Sequence, residues 1–502
     1  MLRKWMRHQR AILTGVGVLA AAAVIAVAAA ASPAQATPAP ADLPEYVGSA
    51  ACMGCHPDEY ASWSRTGHAQ MLKPVFKPSD LPADPAKAPP ELRAQLDRAL
   101  YVVAGQRFIG RSPSGEYVYL GVVYDPAAKT YKPYARAGES WEKSCAGCHS
   151  VGWNPASGRF AEAGIGCESC HGPGRDHILG KGDRSKIVVS SSSDTCGACH
   201  VAGSMPDGTR WPVGWKPGMA LTQTGFQVKA VDPKGPPPDP ALHLRQYAPL
   251  QASAHATAVE SLVASGHAQD SCYRCHSTEA RLAAERGAKV NTAGLHDGIT
   301  CVACHDPHAS RHEAQLREEQ NELCMDCHNG SIPAGQTARP GSVVHHPMAE
   351  MFKGVGAIGV PGESPSPHNA MGVTCASCHM TDGNHMFKVI KPAEVAGTNR
   401  KDSCVACHQT SIPEVRQAYL DMWQNTVKAK VAALEKQLAQ ADARLKARPG
   451  IAADLKAKVD VARTNVSFVK SDGSWGVHNF DYAVKVLGVA ERNLNEFFAA
   501  TR

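Results

Sequence analysis

All 18 cysteines of this 502-residue chain fall in pairs spaced by two residues, and a histidine follows every pair. The sets are Cys52, Cys55 and His56; Cys145, Cys148 and His149; Cys167, Cys170 and His171; Cys196, Cys199 and His200; Cys272, Cys275 and His276. Then come Cys301, Cys304 and His305; Cys324, Cys327 and His328; Cys375, Cys378 and His379; and Cys404, Cys407 and His408. C-x-x-C-H is the pattern that fastens a haem: the thiols add across its two vinyl groups, and the histidine beneath the ring ligates the iron. Zinc sites need paired half-sites and no obligatory histidine after the second cysteine. A disulfide framework would leave the nine histidines without a role. The chain is therefore expected to carry nine covalently attached haem c groups.

An iron held from one side needs a second ligand to close the other. Of 23 histidines, nine are in the motifs and His8 lies in the basic N-terminus, which leaves 13 candidates. Position near a motif favours His68, His177, His255, His267, His296, His308, His368, His385 and His478, with one of the neighbours His345 and His346. His243, in a proline-rich run, and His312, in a charged stretch, are set aside. Met71, Met348, Met371 and Met386 also lie near motifs and are read as packing beside flat rings. No residue is singled out as catalytic.

The elements that must position these groups are unevenly distributed. Arg3, Lys4, Arg7 and Arg10 precede an apolar run over 11–31 and the small-x-small site Ala34-Gln35-Ala36, the pattern of an export signal. It is either cleaved after Ala36 or kept as an inner-membrane anchor, and both outcomes place the rest outside the cytoplasm. The formal charge of +6 shows no concentrated basic patch, which argues against nucleic acid as a partner. Eighteen propionates on nine haems would make the holoprotein acidic. Residues 100–134 carry β-branched and aromatic runs broken by Pro113-Ser114-Gly115 and Asp125-Pro126, which predict two or three strands. Residues 231–249 read as an extended linker.

The motif triplets starting at 145, 167, 196 and at 272, 301, 324 both place a Gly-Ile lead-in at the middle motif, a degenerate three-motif repeat. Past the last motif, Val415, Tyr419, Met422, Val427, Val431, Leu434, Leu438 and Leu445 recur mostly at steps of three and four, predicting a long helix that stops near Pro449-Gly450. A second follows through Leu455 to Val469, and a third starts near Asn479. These helices either close an intrachain hairpin or form a homodimer contact. The expected organisation is an export segment at 1–36, haem-bearing segments at 37–230 and 250–411, and the helical region at 412–502. The fold class is mostly α, with the cofactors supplying much of the core.

The stretch from His368 to Arg502 resembles the C-terminal part of the ammonia-forming cytochrome c nitrite reductases and the hydroxylamine oxidoreductase group. The residues carrying the likeness are His368 to Met380, His385, Cys404 to His408, and Gly476-Val477-His478-Asn479-Phe480-Asp481-Tyr482-Ala483. The earlier region, through Cys52 to His68, Cys145 to His149 and Gly166 to Gly174, resembles the tetrahaem cytochromes of nitrifying bacteria. The resemblance implies a mostly α fold with haems in parallel and perpendicular pairs. Nitrite reductases usually mark the catalytic haem with Lys in place of the motif His, and no C-x-x-C-K occurs here. The cross-linking Tyr of the hydroxylamine oxidoreductases cannot be assigned to any Tyr in this chain.

Two functions follow. The first is an exported electron carrier, periplasmic or otherwise extracytoplasmic. Its redox partners would be a quinol-oxidising membrane complex, a terminal reductase or an outer-surface conduit. The second is a multihaem oxidoreductase acting on nitrite, hydroxylamine or a sulfur oxyanion, which needs one open iron.

Overall fold

The computed structural model describes residues 44–232 and 242–502. The expected export segment, the anchor run 11–31 and the centre of the expected linker lie outside the described residues. Among the described residues, no helix is long and apolar enough to cross a membrane.

The β-branched and aromatic runs form an antiparallel meander of five strands, β1 (Leu72–Pro74), β2 (Tyr101–Val103), β3 (Arg107–Arg111), β4 (Tyr117–Asp125) and β5 (Thr130–Pro133), in chain order. The sequence predicts two or three strands over 100–134, and its runs fall in β2 and β4; β3 and β5 are additional. So is β1, whose three residues end in a proline that only an edge can accept. Alternation sends Phe108, Leu120 and Val122 to one face, where they pack on Leu92 and Leu96 of the helix Pro90–Leu96. Ile109, Tyr117 and Tyr119 go to the other face, against Leu72, Val103 and Trp141. That second face positions the second motif. The Tyr117 N–H donates to Glu142 Oε1 at 2.8 Å, and the Tyr119 hydroxyl lies 3.1 Å from Cys145 Sγ.

The C-terminal region is a three-helix bundle of α1 (Pro413–Ala447), α2 (Ala453–Asp472) and α3 (Phe480–Ala500). On α1, Val427, Val431, Leu434, Leu438 and Ala441 alternate steps of four and three and are buried. They meet Val459, Ala462, Val466 and Val469 of α2, and Val486, Leu487, Ala490, Leu494 and Phe497 of α3. Each large apolar side chain so covered contributes about 1.5–3 kcal/mol. The stop near Pro449 and the start at Asn479, whose side chain accepts from Tyr482 N–H, fall where the sequence signals put them. One part differs: Val415, Tyr419 and Met422, expected on the apolar face, are exposed. The bundle grips α1 only from Val427 onward, because α3 begins beside that point, with Phe480 at its start against Trp423.

Polar side chains tie the bundle to the haem-bearing region. Asn465 both accepts from Ile358 N–H (3.0 Å) and donates to Ile358 C=O (2.9 Å), and the Tyr482 hydroxyl accepts from Ala357 N–H at 3.0 Å. Elsewhere the motif region is short turns and loops, as a chain wrapped around cofactors requires.

Candidate haem-iron sites

Each motif is built on about one helical turn, which brings the two thiols and the imidazole to one side. Ser192 caps the turn Ser193–Gly197, and Thr374 caps Cys375–His379 by accepting from Ser377 N–H. Small residues between the cysteines let neighbours approach. A Cβ on Gly147 would sit 2.1 Å from the Trp211 ring, and one on Gly197 2.2 Å from Tyr247. Glu168, buried inside the third motif, accepts from the N–H groups of Val47, Gly48 and Gly174 at 2.7–2.9 Å and so fastens the first motif's lead-in to the third.

The decisive geometry is the spacing of imidazoles. An iron between two of them, with metal–nitrogen bonds of about 2 Å, holds the ring centres about 6 Å apart. His56 faces His177 at 6.5 Å, His171 faces His308 at 6.0 Å, and His305 faces His385 at 6.2 Å. His379 faces His478 and His408 faces His368, both at 6.2 Å. His200 has His68 at 6.2 Å, and His328 has His255 at 5.9 Å. His276 has His345 at 6.3 Å and His346 at 6.2 Å. His149 has His243 at 6.5 Å. All nine motif imidazoles are thus opposed by a second one at the spacing an iron needs.

The structure thus brings His243, set aside in the sequence reading, opposite a motif imidazole. The residue set aside as linker forms a 3-10 turn with Leu242 and Leu244, and Val201 bridges Arg245 just beyond it. The expected linker therefore ends by residue 242, and its last residues fold onto the fourth motif, where Tyr247 N–H donates to His200 C=O at 3.1 Å. Proline density masked the His; only its flanking leucines hinted at an ordered turn. Conversely, His267 and His296, favoured by position, are exposed, and among the described residues neither ring faces a motif imidazole. His312 accepts from Arg311 Nε at 3.3 Å.

Electrostatics suit ligation. Burial pushes His149, His200, His255 and His328 down to about 4, so that each keeps the neutral ring a metal requires. Ring orientation is fixed from behind: Nδ1 meets a backbone carbonyl at His171 (Val188, 2.7 Å), His177 (Asp183, 2.9 Å), His305 (Ala314, 2.8 Å) and His385 (Gly383, 2.9 Å). At His478 the partner is a carboxylate, Asp472 Oδ1 at 2.6 Å. Burial works against a charged His478, but Asp472 outweighs it, and the pKa is raised.

Thiols of different motifs also lie side by side: Cys52 with Cys167, Cys148 with Cys199, Cys196 with Cys301, Cys275 with Cys327, and Cys324 with Cys375. Cys170 neighbours Cys199, Cys304 neighbours Cys324, and Cys378 neighbours Cys404 and Cys407. Hydrogen bonds brace these junctions. Thr300 Oγ1 donates to Ser191 C=O at 2.6 Å, Cys375 N–H to Asn321 Oδ1 at 2.9 Å, and the Thr381 and Ser403 hydroxyls meet at 2.7 Å. The sites therefore follow one another as first, third, fourth, sixth, seventh, eighth and ninth, with the second beside the fourth and the fifth beside the seventh.

Known proteins carry the same pattern. Residues 293–332 match the doubled CXXCH motif family, 336–496 the cytochrome c552 family, and 125–172 with 241–306 the cytochrome c554 and c-prime family. The solved structure of the outer cell wall cytochrome OcwA is 34% identical, with a TM-score of 0.77 over 90% of this chain and 100% of its own. The chain is a multihaem c-type cytochrome. An undecahaem cytochrome from the S-layer of Carboxydothermus ferrireducens is 25% identical to this cytochrome, with a TM-score of 0.61 over 91% of this chain and 70% of its own. Cytochrome c-554 of Nitrosomonas europaea is 28% identical over 184 residues, 32% of this cytochrome, which spans 59% of that relative's length. This cytochrome carries covalent c-type haem. The c554 match extends to residue 306, past the expected linker, and so reaches further than the motifs that suggested it.

Proposed function

We propose that this cytochrome is an exported nonahaem electron carrier. In this reading each iron is held between a motif histidine and a second one: His56 with His177, His149 with His243, His171 with His308, and His200 with His68. The others are His276 with His345 or His346, His305 with His385, His328 with His255, His379 with His478, and His408 with His368. The observation that carries it is the 5.9–6.5 Å imidazole spacing at all nine motifs. When bound, haem iron supplies one-electron chemistry between its ferric and ferrous states. The protein closes both axial positions, buries the rings and keeps neighbouring attachment points adjacent, so that an electron passes between sites without new bonds forming.

The order of sites supports a line from the first motif to the ninth, with the second and fifth as side branches. The partners are redox proteins at its ends, drawn from a quinol-oxidising membrane complex, a terminal reductase or an outer-surface conduit. The cell-wall and S-layer relatives support placement outside the cytoplasm. An open-iron oxidoreductase needs a motif imidazole without a partner, and the pairing favours the carrier.

The test is the spin state of the purified holoprotein. Wholly low-spin ferric spectra, insensitive to cyanide and nitrite, together with an intact mass showing nine haems, are expected. A high-spin component that responds to nitrite would overturn the carrier reading.

A further inference from the structure

In the proposed pairing, the ligand histidines differ in what their Nδ1 atoms meet. His171, His177, His305, His379 and His385 lean on backbone carbonyls, at 2.7–3.3 Å. His308 is 3.9 Å from Asp306 on the exposed surface. His478 alone among them meets a buried carboxylate at hydrogen-bond distance: the Asp472 side chain is 1% exposed, and its Oδ1 lies 2.6 Å from Nδ1. The fold builds this contact deliberately. Asp472 is the last residue of α2, Gly473 turns the chain at φ +72°, and His478 returns beneath it just before α3. The second carboxylate oxygen accepts from the N–H and hydroxyl of Ser474.

We propose that Asp472 is a positioning residue that sets the potential of the eighth site. It fixes the tautomer of His478 so that Nε2 faces the His379 side, and draws the Nδ1 proton toward itself, which makes the ring a stronger donor to iron. Stronger donation favours the ferric state and lowers the potential. The reduction remains a one-electron step in which the Nδ1 proton stays in its hydrogen bond and no bond breaks. The eighth site lies between the seventh and the ninth, so Asp472 places a low-potential step before the ninth site. It thereby controls how readily that end exchanges electrons with the rest. This rests on the proposed pairing of His379 with His478.

The experiment is a redox titration of the full-length holoprotein, wild type against Asp472→Asn, with haem load and spin state measured alongside. A tenfold or larger change in one site's electron equilibrium is expected, about 59 mV upward for a one-electron couple, with all irons still low-spin. Unchanged potentials at full haem load would overturn the proposal. So would a new high-spin iron, which would make Asp472 a mere prop for His478. Ser474→Ala removes a donor that competes for the carboxylate and should move the same potential downward. It decides the question if Asp472→Asn does not mature, and absence of any shift there overturns the proposal. His478→Ala separates the two levels. It should create one high-spin iron at the site whose potential Asp472→Asn moves. If it creates none, the pairing itself fails and the inference falls with it.

Discussion

His243 stands opposite His149 with ring centres 6.5 Å apart and planes at 73°. His243 also stands 6.5 Å from His200, but His200 has His68 at 6.2 Å, whereas His149 has no other imidazole near it among the described ring contacts. His243→Ala should therefore open one iron and add a single high-spin signal in electron paramagnetic resonance at unchanged haem load. His312→Ala should leave the spectrum as it is. An unchanged spectrum in His243→Ala would show that another group ligates the second site.

His345 and His346 crowd one position. Their ring centres are 3.8 Å apart, both lie within 6.3 Å of His276, and His346 holds a left-handed φ of +52° to reach it. His346 also stands 5.9 Å from His328, which has His255 at the same distance; in the proposed pairing either ring of His345 and His346 alone closes the fifth site. His345→Ala and His346→Ala should each remain low-spin, and only the double substitution should release one high-spin iron. A high-spin iron in either single variant would name the sole ligand.

The attachment chemistry was legible because it is local: a thiol spacing and a neighbouring imidazole sit within five residues. The three C-terminal helices were legible for the same reason, through periodicity and the signals at Pro449 and Asn479. Which motif each opposing histidine faces was not legible, because long-range packing brings the two rings together. His68 faces His200 of a motif that starts 128 positions later, the difference between 68 and 196. Proximity along the chain favours His267 and His296, which the structure leaves exposed. The three-motif repeat did carry three-dimensional information. Advancing by three turns the second–fourth neighbours into fifth–seventh, and third–fourth into sixth–seventh. Repetition of sequence thus reports repetition of motif placement even where the pairing of histidines cannot be read.

The exposed start of α1 offers a surface for a second copy. Ile412, Val415, Tyr419 and Met422, at steps of three and four, are 60%, 44%, 55% and 51% exposed. Paired across two chains, this stripe would lie beside the ninth motif of each. Sedimentation of the holoprotein should show a dimer at micromolar concentration, and Val415→Glu with Met422→Glu should yield monomer with unchanged haem spectra. A wild type that remains monomeric removes the proposed contact.

Arg416 and Asp402 form a buried pair at the ninth motif, with side chains 7% and 1% exposed. Arg416 also donates to the carbonyls of His408 and Ser411, and Asp402 accepts from Cys404 N–H at 2.9 Å. Burial pushes the Asp402 carboxyl up, but the bonds from Arg416 and Cys404 outweigh it, and its pKa is lowered. A carboxyl depressed in the folded state adds stability that is full above its unfolded value of about 3.9 and is lost as pH falls through the folded one. Arg416→Gln leaves Asp402 buried without its cation, which costs about 3–5 kcal/mol near neutrality. Without Arg416, burial lifts the Asp402 carboxyl above its free value, so the gap between the two proteins should begin to narrow above about pH 4 and go on narrowing as pH falls through the depressed wild-type value. Thermal melts from pH 7 to pH 3 would show this, and a gap independent of pH would mean that Arg416 acts through the His408 and Ser411 carbonyls alone.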